Sequence, residues 1–330
     1  DTTRTEALTL TLGIDFGTSN SKIMVNDDAM GFFAVENDKS FLFPCTIYQK
    51  GDEYTLLKGQ SSVAHKDVKL RLIDRIHSLP EFSDPDEFLI KLENAEEFKI
   101  ASIYISKLIQ HTINWCEKEN EAYSGQNIFF QWDVIIGFPS IPAHDEHQKQ
   151  AYERLKSSFE HLIAVSFYLS QANDSKITDE IYSQVCKARS LDTSIDARTD
   201  NPNWNTAYPE ILAQLCTIVQ TDFAIEGKYI LVDIGAGTLD TITFYNGIGK
   251  NTFSVYQAAV ASIGAHKLHL FRKDRLTEIL LKEGKDYRFQ GVEPEDNSDG
   301  SVFKNNNYTS YYSKNLKSVR DDINEFSQNL

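Results

Sequence analysis

The chain lacks several features that mark specialised classes of protein. It has only four cysteines among its 330 residues. They lie far apart in the sequence, without a Cys-x-x-Cys pair or a spacing typical of a metal site, so we expect reduced thiols in a cytoplasmic protein. No apolar run approaches the roughly 20 residues that span a membrane, and we expect no membrane partner. The polar start, without an initiator methionine or a signal-type apolar region, indicates a trimmed end.

Positive charge is also scarce. The chain has 33 Lys and Arg against 48 Asp and Glu, which gives a formal net charge of −15 at pH 7. Proteins that bind the phosphate backbone of nucleic acids concentrate Lys and Arg, so this balance argues against a nucleic-acid partner. The apolar share of 41% and the charged share of 25% are ordinary for a globular protein. The length suits two domains or one large α/β domain.

The most informative pattern is T-L-G-I-D-F-G-T-S-N-S-K-I-M-V, which runs from Thr11 to Val25. An apolar strand ends at Asp15, a polar turn with a glycine follows, and a second apolar run begins at Lys22. The turn offers N–H, hydroxyl and ammonium donors to phosphate oxygens. Asp15 would repel phosphate unless a hydrated divalent cation lies between them. The alternative interpretation is a polar hairpin tip with a capping aspartate.

A second segment, K-Y-I-L-V-D-I-G-A-G-T-L-D-T-I-T-F, repeats this pattern from Lys228 to Phe244. A buried strand ends in Asp233, a Gly-Ala-Gly-Thr turn follows, and Asp240 leads into another strand. Two facing glycine turns, each with an aspartate and a threonine, can hold a phosphate chain and its metal from opposite sides. The repetition favours a phosphate site over chance turn chemistry.

Other patterns predict the elements between and after these turns. Helical spacing predicts one core helix over 87–118, and an apolar run predicts a buried strand over 132–137. Residues 61–77 are compatible with either a helix or an irregular basic arm. Residues 170–207 are polar and poorly periodic, which indicates an insertion or lid outside the core. Further helices are predicted from Pro209 and over 144–169, 268–281 and 311–326.

The two turn segments resemble the phosphate motifs of the superfamily that joins seventy-kilodalton heat-shock chaperones, actins and sugar kinases. The chaperone branch is the most similar. Weaker similarities at 37–48, 57–64 and 132–152 follow in the same order, so the resemblance spans about residues 9–270. It implies an α/β, actin-like ATPase fold with two related lobes around a nucleotide cleft. Residues 1–206 are then the first lobe, with the excursion inserted, and 207–330 are part of the second lobe.

The resemblance also implies roles for individual residues. Asp15 and Asp233 would act through waters on a Mg²⁺ that bridges the phosphates of ATP or ADP. Asp240 matches an acid near the attacking water, and Glu210 lies close to the position of the family's catalytic glutamate. The residues implied in nucleotide binding are Gly17, Thr18, Ser19, Asn20, Lys22, Gly235, Ala236, Gly237, Thr238 and Gly264.

Several positions depart from the family pattern. Leu70 occupies the place of the catalytic lysine, and the adjacent Lys69 is expected to point elsewhere. Glu210 follows a proline here, whereas the family has Glu-Pro, so a helix-terminal acid favoured by the macrodipole is an alternative role for it. Ala236 replaces a glycine. The adenosine-side glycine pair does not appear before Leu330, which indicates either an N-terminal fragment or incomplete nucleotide binding.

These observations predict a chaperone-like ATP-binding domain with weak Mg²⁺-dependent ATPase activity that couples its nucleotide state to a client or partner protein. One alternative is an actin-like polymer or scaffold that self-associates under nucleotide control. Another is a pseudo-ATPase that uses the excursion to bind a partner. A sugar kinase of the same superfamily would need an aspartate base in a sugar pocket, and the sequence identifies none.

Overall fold

The computed structural model describes residues 6–38, 40–80, 84–120, 122–123, 128–139, 146–171, 177–191, 206–219, 225–247, 253–261, 264–265, 271 and 275. The chain divides into two units, Asp1–Lys273 and Asp274–Leu330, and every element named below belongs to the first. The helices predicted over 268–281 and 311–326 lie outside the described residues. The division into lobes at 206/207 stays a prediction.

The described part of the chain begins with seven strands, continues with helices interspersed with single strands, and ends with three strands. The strands are β1 (Glu6–Asp15), β2 (Asn20–Asp27), β3 (Gly31–Ala34), β4 (Phe43–Pro44), β5 (Ile47–Lys50), β6 (Glu53–Thr55), β7 (Val63–His65), β8 (Ile128–Phe138), β9 (Thr206–Pro209), β10 (Gly227–Ile234), β11 (Leu239–Asn246) and β12 (Phe253–Ala261). The helices are α1 (Val68–Ser78), α2 (Pro85–Glu93), α3 (Glu96–Lys118), α4 (Glu146–Gln171), α5 (Asp179–Leu191) and α6 (Glu210–Val219).

The largest sheet has six strands in the order β3-β2-β1-β8-β9, with β4 also paired to β2. β1 is antiparallel to β2 and parallel to β8, and β8 is parallel to β9. A parallel pair needs a crossover connection, which here contains helices. The strand predicted at 132–137 is confirmed as part of β8. The described elements form a mixed α/β structure.

Alternation along β1 places the core on one face of this sheet. Leu10, Leu12 and Ile14 are at most 3% exposed, whereas Asp15 points to the opposite face and is exposed. The buried residues of β1, β2 and β8 form one cluster with those of α3 and α4. This helical cover leaves the ends of the strands, where the polar turns lie, free to carry chemistry.

A separate sheet has the order β10-β11-β12, with antiparallel pairing throughout. Helix α6 begins directly after β9 of the large sheet. It packs Ile211 and Leu215 against Ile242 and Phe244 of β11. α6 therefore connects the two sheets. A third, small sheet has the order β6-β5-β7.

Two predicted elements are corrected by the structure. The single helix predicted over 87–118 is two helices, α2 and α3, because Ala95 takes an extended conformation with φ −85° and ψ 139°. The excursion at 170–207 contains part of the core: Ile177 is fully buried, and the Tyr182 hydroxyl donates to the Glu93 carbonyl at 2.7 Å. The prediction that this segment lies outside the core is wrong for 177–191.

The two alternatives for residues 61–77 resolve into a short strand, β7, followed by helix α1. Among the described helices, none combines the length and the apolar character needed to cross a membrane.

Candidate functional site

The first glycine turn closes the β1–β2 hairpin, in which Asp15 pairs with Lys22. The Gly17 N–H donates to the Asp15 carbonyl at 3.0 Å. A Cβ on Gly17 would lie 2.1 Å from the carbonyl oxygen of Asn20, so the tight turn requires glycine at this position. The absence of a side chain at Gly17 therefore permits two backbone segments to approach closely within the turn.

Polar groups surround this turn. Lys22 Nζ lies 3.3 Å from Asp15 Oδ2, in an ion pair whose side chains are 59% and 53% exposed. The Oδ1 atom of Asn20 is buried, and no hydrogen-bond donor from the described residues reaches it. The Ser19 carbonyl accepts a hydrogen bond from the Cys45 N–H at 2.8 Å, which connects the turn to the segment directly after β4. A buried acceptor without a donor is costly unless a ligand or water satisfies it.

The second glycine turn closes the β10–β11 hairpin. The Gly235 N–H donates to the Thr238 carbonyl at 2.9 Å, and the Thr238 hydroxyl donates to Asp240 Oδ2 at 3.2 Å. Asp233 and Asp240 are directly opposite each other in the antiparallel register. Like charges at such a position destabilise a sheet, and a cation bound between them would offset that cost.

Gly264 supports this second turn from behind. Its N–H donates to the Gly237 carbonyl at 3.2 Å, and a Cβ on it would lie 2.5 Å from the Ala236 carbonyl oxygen. The next residue, Ala265, donates its N–H to the Gly235 carbonyl at 2.9 Å. Gly264 is therefore part of the turn's framework, because no side chain fits between the two segments.

The two turns meet each other. A Cβ on Gly237 would lie 3.2 Å from Cγ2 of Thr18 and 3.5 Å from Cδ2 of Leu70. The first turn, the second turn and the start of α1 thus converge on one place. This convergence is the geometry that the repeated sequence pattern predicts.

Lys69 enters the site and corrects a prediction. Its ammonium forms an ion pair with Glu210 Oε1, and its side chain is only 6% exposed. The expectation that Lys69 points elsewhere is wrong. On helix α1 consecutive residues point in different directions, and the register turns Lys69 to Glu210 while Leu70 contacts the second turn.

Gly137 makes room for the glutamate. It lies near the end of β8, and a Cβ on it would be 2.7 Å from Glu210 Cγ. Glu210 is the first residue of α6, directly after β9, which pairs with β8. The carboxylate therefore lies over the sheet face that also carries Asp15.

The carboxylates influence one another through their charges. Burial raises the pKa of Glu210, the Lys69 ammonium opposes this rise, and the charges of Asp15 and Asp240 add to it. Burial likewise raises the pKa of Asp240, and the charge of Asp233 raises it further, whereas Thr238 and Lys69 act in the opposite direction. A local excess of negative charge, which favours a cation, remains because these four carboxylates face only two ammonium groups of the described residues, those of Lys22 and Lys69.

Helix α6 also contacts the second turn. Gln214 lies one helical turn beyond Glu210, and its Nε2 donates to Asp233 Oδ2 at 2.6 Å. Neither Lys69 nor Gln214 nor Gly137 is among the residues predicted for the site. The i, i+4 spacing of Glu210 and Gln214 is a sequence signal from which Gln214 could have been predicted.

The residues suit a hydrated Mg²⁺ better than a directly chelated metal. Within the described ranges, no group of three or more His, Cys, Asp or Glu side chains is arranged to hold a metal ion. Mg²⁺ typically keeps several waters and binds through one or two carboxylates together with phosphate oxygens. Asp15 and Asp233, one from each turn, supply such a pair, and the unsatisfied Asn20 oxygen supplies a further acceptor.

The structure brings most of the predicted residues to this one place. The contacts and charge interactions described above link Asp15, Thr18, Glu210, Asp233, Gly237 and Asp240.

No model of a known protein family matches the chain, and no curated protein sequence matches it either.

Proposed function

We propose that this chain is a chaperone-like domain of the actin-like ATPase fold that binds ATP or ADP with Mg²⁺ and hydrolyses ATP slowly. The observation that carries the proposal is the meeting of two glycine turns, with Thr18 of the first against Gly237 of the second. Each turn brings an aspartate from the end of a strand. A single turn of this kind is ordinary hairpin chemistry, whereas two converging turns form a two-sided clamp for phosphates.

Phosphate binding falls to the turns themselves. Their backbone N–H groups form concave donor sites for anions, and the hydroxyls of Thr18, Ser19 and Thr238 add donors. Lys22, exposed beside Asp15, supplies a mobile positive charge. The glycines permit the tight turns and the close contacts that bring these donors together.

Asp15 and Asp233 would hold Mg²⁺ through its water molecules. When bound, this cation neutralises phosphate charge and permits phosphates to lie beside carboxylates. The remaining acids, Glu210 and Asp240, would accept hydrogen bonds from the attacking water. Lys69 fixes Glu210 and supplies the cation that the family pattern places at position 70.

Nucleotide-dependent closure of the cleft, relayed to a partner protein, is the proposed use of this chemistry. A reducing compartment such as the cytoplasm is the proposed setting. All four cysteines are free, and Cys45 and Cys116 are buried.

Calorimetric titration with ATP, in Mg²⁺ and in EDTA, tests the proposal on the wild-type chain and on Asp15→Ala and Asp233→Ala. Each variant is expected to lose at least about tenfold of its Mg²⁺-dependent affinity, or about 1.4 kcal/mol. Affinity in EDTA should stay the same or increase, because a carboxylate that repels phosphate has been removed. Asp28→Ala, at an exposed position just beyond the opposite end of β2, is the matched control and should behave as wild type. If both site variants keep the wild-type response to Mg²⁺, the two-turn clamp is wrong.

A further inference from the structure

Helix α6 presents two polar side chains to the candidate site. Glu210 and Gln214 are four residues apart and share one face of the helix. Glu210 pairs with Lys69, and Gln214 donates its amide N–H to Asp233 Oδ2 at 2.6 Å. One helix face therefore contacts both the start of α1 and the second glycine turn.

Packing of the helix does not depend on this amide. Ile211 and Leu215, on the neighbouring face, anchor α6 on Ile242 and Phe244 of β11. These apolar contacts bury the helix against the second sheet, and Gln214 is half-buried beside them. The hydrogen bond from Gln214 to Asp233 is therefore separate from the apolar contacts that anchor the helix.

We propose that Gln214 is a positioning residue for the metal-binding carboxylate of Asp233. The inference rests on the proposed function. With Oδ2 held by the amide, the carboxylate has one orientation, and Oδ1 is the oxygen left for the hydration shell of the cation. Among the described residues, no donor reaches Oδ1. A neutral amide suits this role because it orients the carboxylate without cancelling its charge.

The same contact joins the two halves of the site. A cation bound at Asp233 would act on Gln214 and, through the first helical turn of α6, on Glu210 and its partner Lys69. Binding of the metal and nucleotide at the second turn would thereby influence the position of Glu210, which is proposed to accept a hydrogen bond from the attacking water. The structure places this connection in a single helix.

Two substitutions separate positioning from mere packing. Gln214→Met keeps the length of an unbranched side chain and removes the donor. Gln214→Lys keeps a donor and adds a charge that competes with the cation. Gln184→Met is the matched control, because Gln184 also donates to a carboxylate, Glu180 at 3.2 Å, on the exposed side of α5. The measurements are the half-saturating Mg²⁺ concentration for ATP binding and the ATP affinity in EDTA, made by calorimetry on the full chain.

For Gln214→Met we expect the half-saturating Mg²⁺ concentration to rise roughly 10–100-fold, since that is the usual effect of removing a hydrogen-bond partner of a metal ligand. ATP affinity in EDTA should not change. For Gln214→Lys we expect tighter ATP binding in EDTA and a flattened Mg²⁺ dependence. The control should match wild type in both measurements.

The outcomes separate this inference from the proposed function. If wild type shows Mg²⁺-dependent ATP binding and both Gln214 variants keep its Mg²⁺ dependence, the positioning role is wrong and the proposed function stands. If wild type shows no such binding, both fail. Should Gln214→Met not fold, as judged by circular dichroism, Gln214→Lys decides by the same criterion. A loss of ATP affinity in EDTA equal to the loss in Mg²⁺ would indicate a structural role and overturn the inference.

Discussion

A lysine whose side chain is only 6% exposed needs a partner for its ammonium group, because an isolated buried charge is costly. Lys69 has that partner in Glu210, whose own side chain is 24% exposed. The pair is asymmetric, since the lysine is the more deeply enclosed member. Its loss should therefore affect both the fold and the chemistry of the site.

Lys69→Met is expected to destabilise the chain by about 3 kcal/mol, because breaking a buried pair leaves the other charge uncompensated. Lys22→Met removes an exposed pair and is expected to cost less than about 1 kcal/mol. Urea denaturation of the two variants measures the difference. Equal effects would mean that the Lys69–Glu210 contact does not stabilise the fold. ATP hydrolysis should also fall in Lys69→Met, more steeply than ATP binding.

Asp240 carries a stability cost that depends on pH. Its pKa is raised by burial and by the charge of Asp233, so the folded chain holds the proton to higher pH than the unfolded chain does. Stability is therefore lost as pH rises from about 4, the ordinary aspartate range, through the raised pKa. Asp240→Asn removes this loss.

We expect Asp240→Asn to stabilise the chain by about 0.5–1 kcal/mol at pH 7, as removal of a like-charge cross-strand pair does. The gain should disappear well below pH 4, where the Asp240 carboxyl holds its proton in both the folded and the unfolded chain. Chemical denaturation across this pH range measures it, with the exposed Asp28→Asn as control. A gain that does not change with pH would show that charge at Asp240 is not its cause.

At the residue scale, the sequence predicts what lies within one turn and misses what crosses between elements. Asp15, Gly17 and Thr18 are readable because their roles depend on neighbours in the chain. The pairing of Lys69 with Glu210 depends on how the fold brings the start of α1 next to the start of α6. No local sequence pattern specifies that contact, which is why the prediction that the Lys69 side chain points away from the site is wrong.

At the scale of elements, α6 and the end of β8 form one unit around Glu210. Gly137 is the residue on which this unit depends, because a Cβ there would lie 2.7 Å from Glu210 Cγ. A Cβ on Gly13, in the paired strand β1, would lie 3.8 Å from its nearest neighbour, the Met24 carbonyl oxygen. This position therefore has space for a methyl group. The two glycines differ in consequence although both lie in strands.

Gly137→Ala is expected to displace Glu210 from Lys69, to lower stability by about 1–3 kcal/mol and to reduce ATP hydrolysis. Gly13→Ala is expected to change stability by less than about 1 kcal/mol in either direction. Thermal unfolding and a steady-state ATPase assay measure both variants. If Gly137→Ala behaves as Gly13→Ala does, Glu210 does not need the space that Gly137 leaves.

The elements themselves were partly predictable. Both glycine hairpins and the strand at 132–137 follow from apolar runs and turn residues, which act locally. The break at Ala95 and the packing of α5 do not, because the break carries no proline or glycine and α5 has a polar sequence. Ile177 and Tyr182 are buried there by tertiary contacts that periodicity alone does not reveal.

At the scale of the whole molecule, two hairpins that are far apart in the sequence are proposed to bind one ligand. The first belongs to the six-stranded sheet and the second to a separate three-stranded sheet. Helix α6 connects these sheets, and the contact between Thr18 and Gly237 brings the turns together. The repetition of the motif predicts two turns, whereas their meeting depends on the intervening fold.

A double-mutant cycle on Mg²⁺-dependent ATP binding tests this central claim most directly. Asp15→Asn and Asp233→Asn are measured singly and together by calorimetry, in Mg²⁺ and in EDTA. If both carboxylates serve one cation, either substitution removes most of the Mg²⁺-dependent affinity, and the double variant loses little more than the single ones. Additive losses would assign the two aspartates to independent sites, and an unchanged Mg²⁺ response in all three variants would contradict the account altogether.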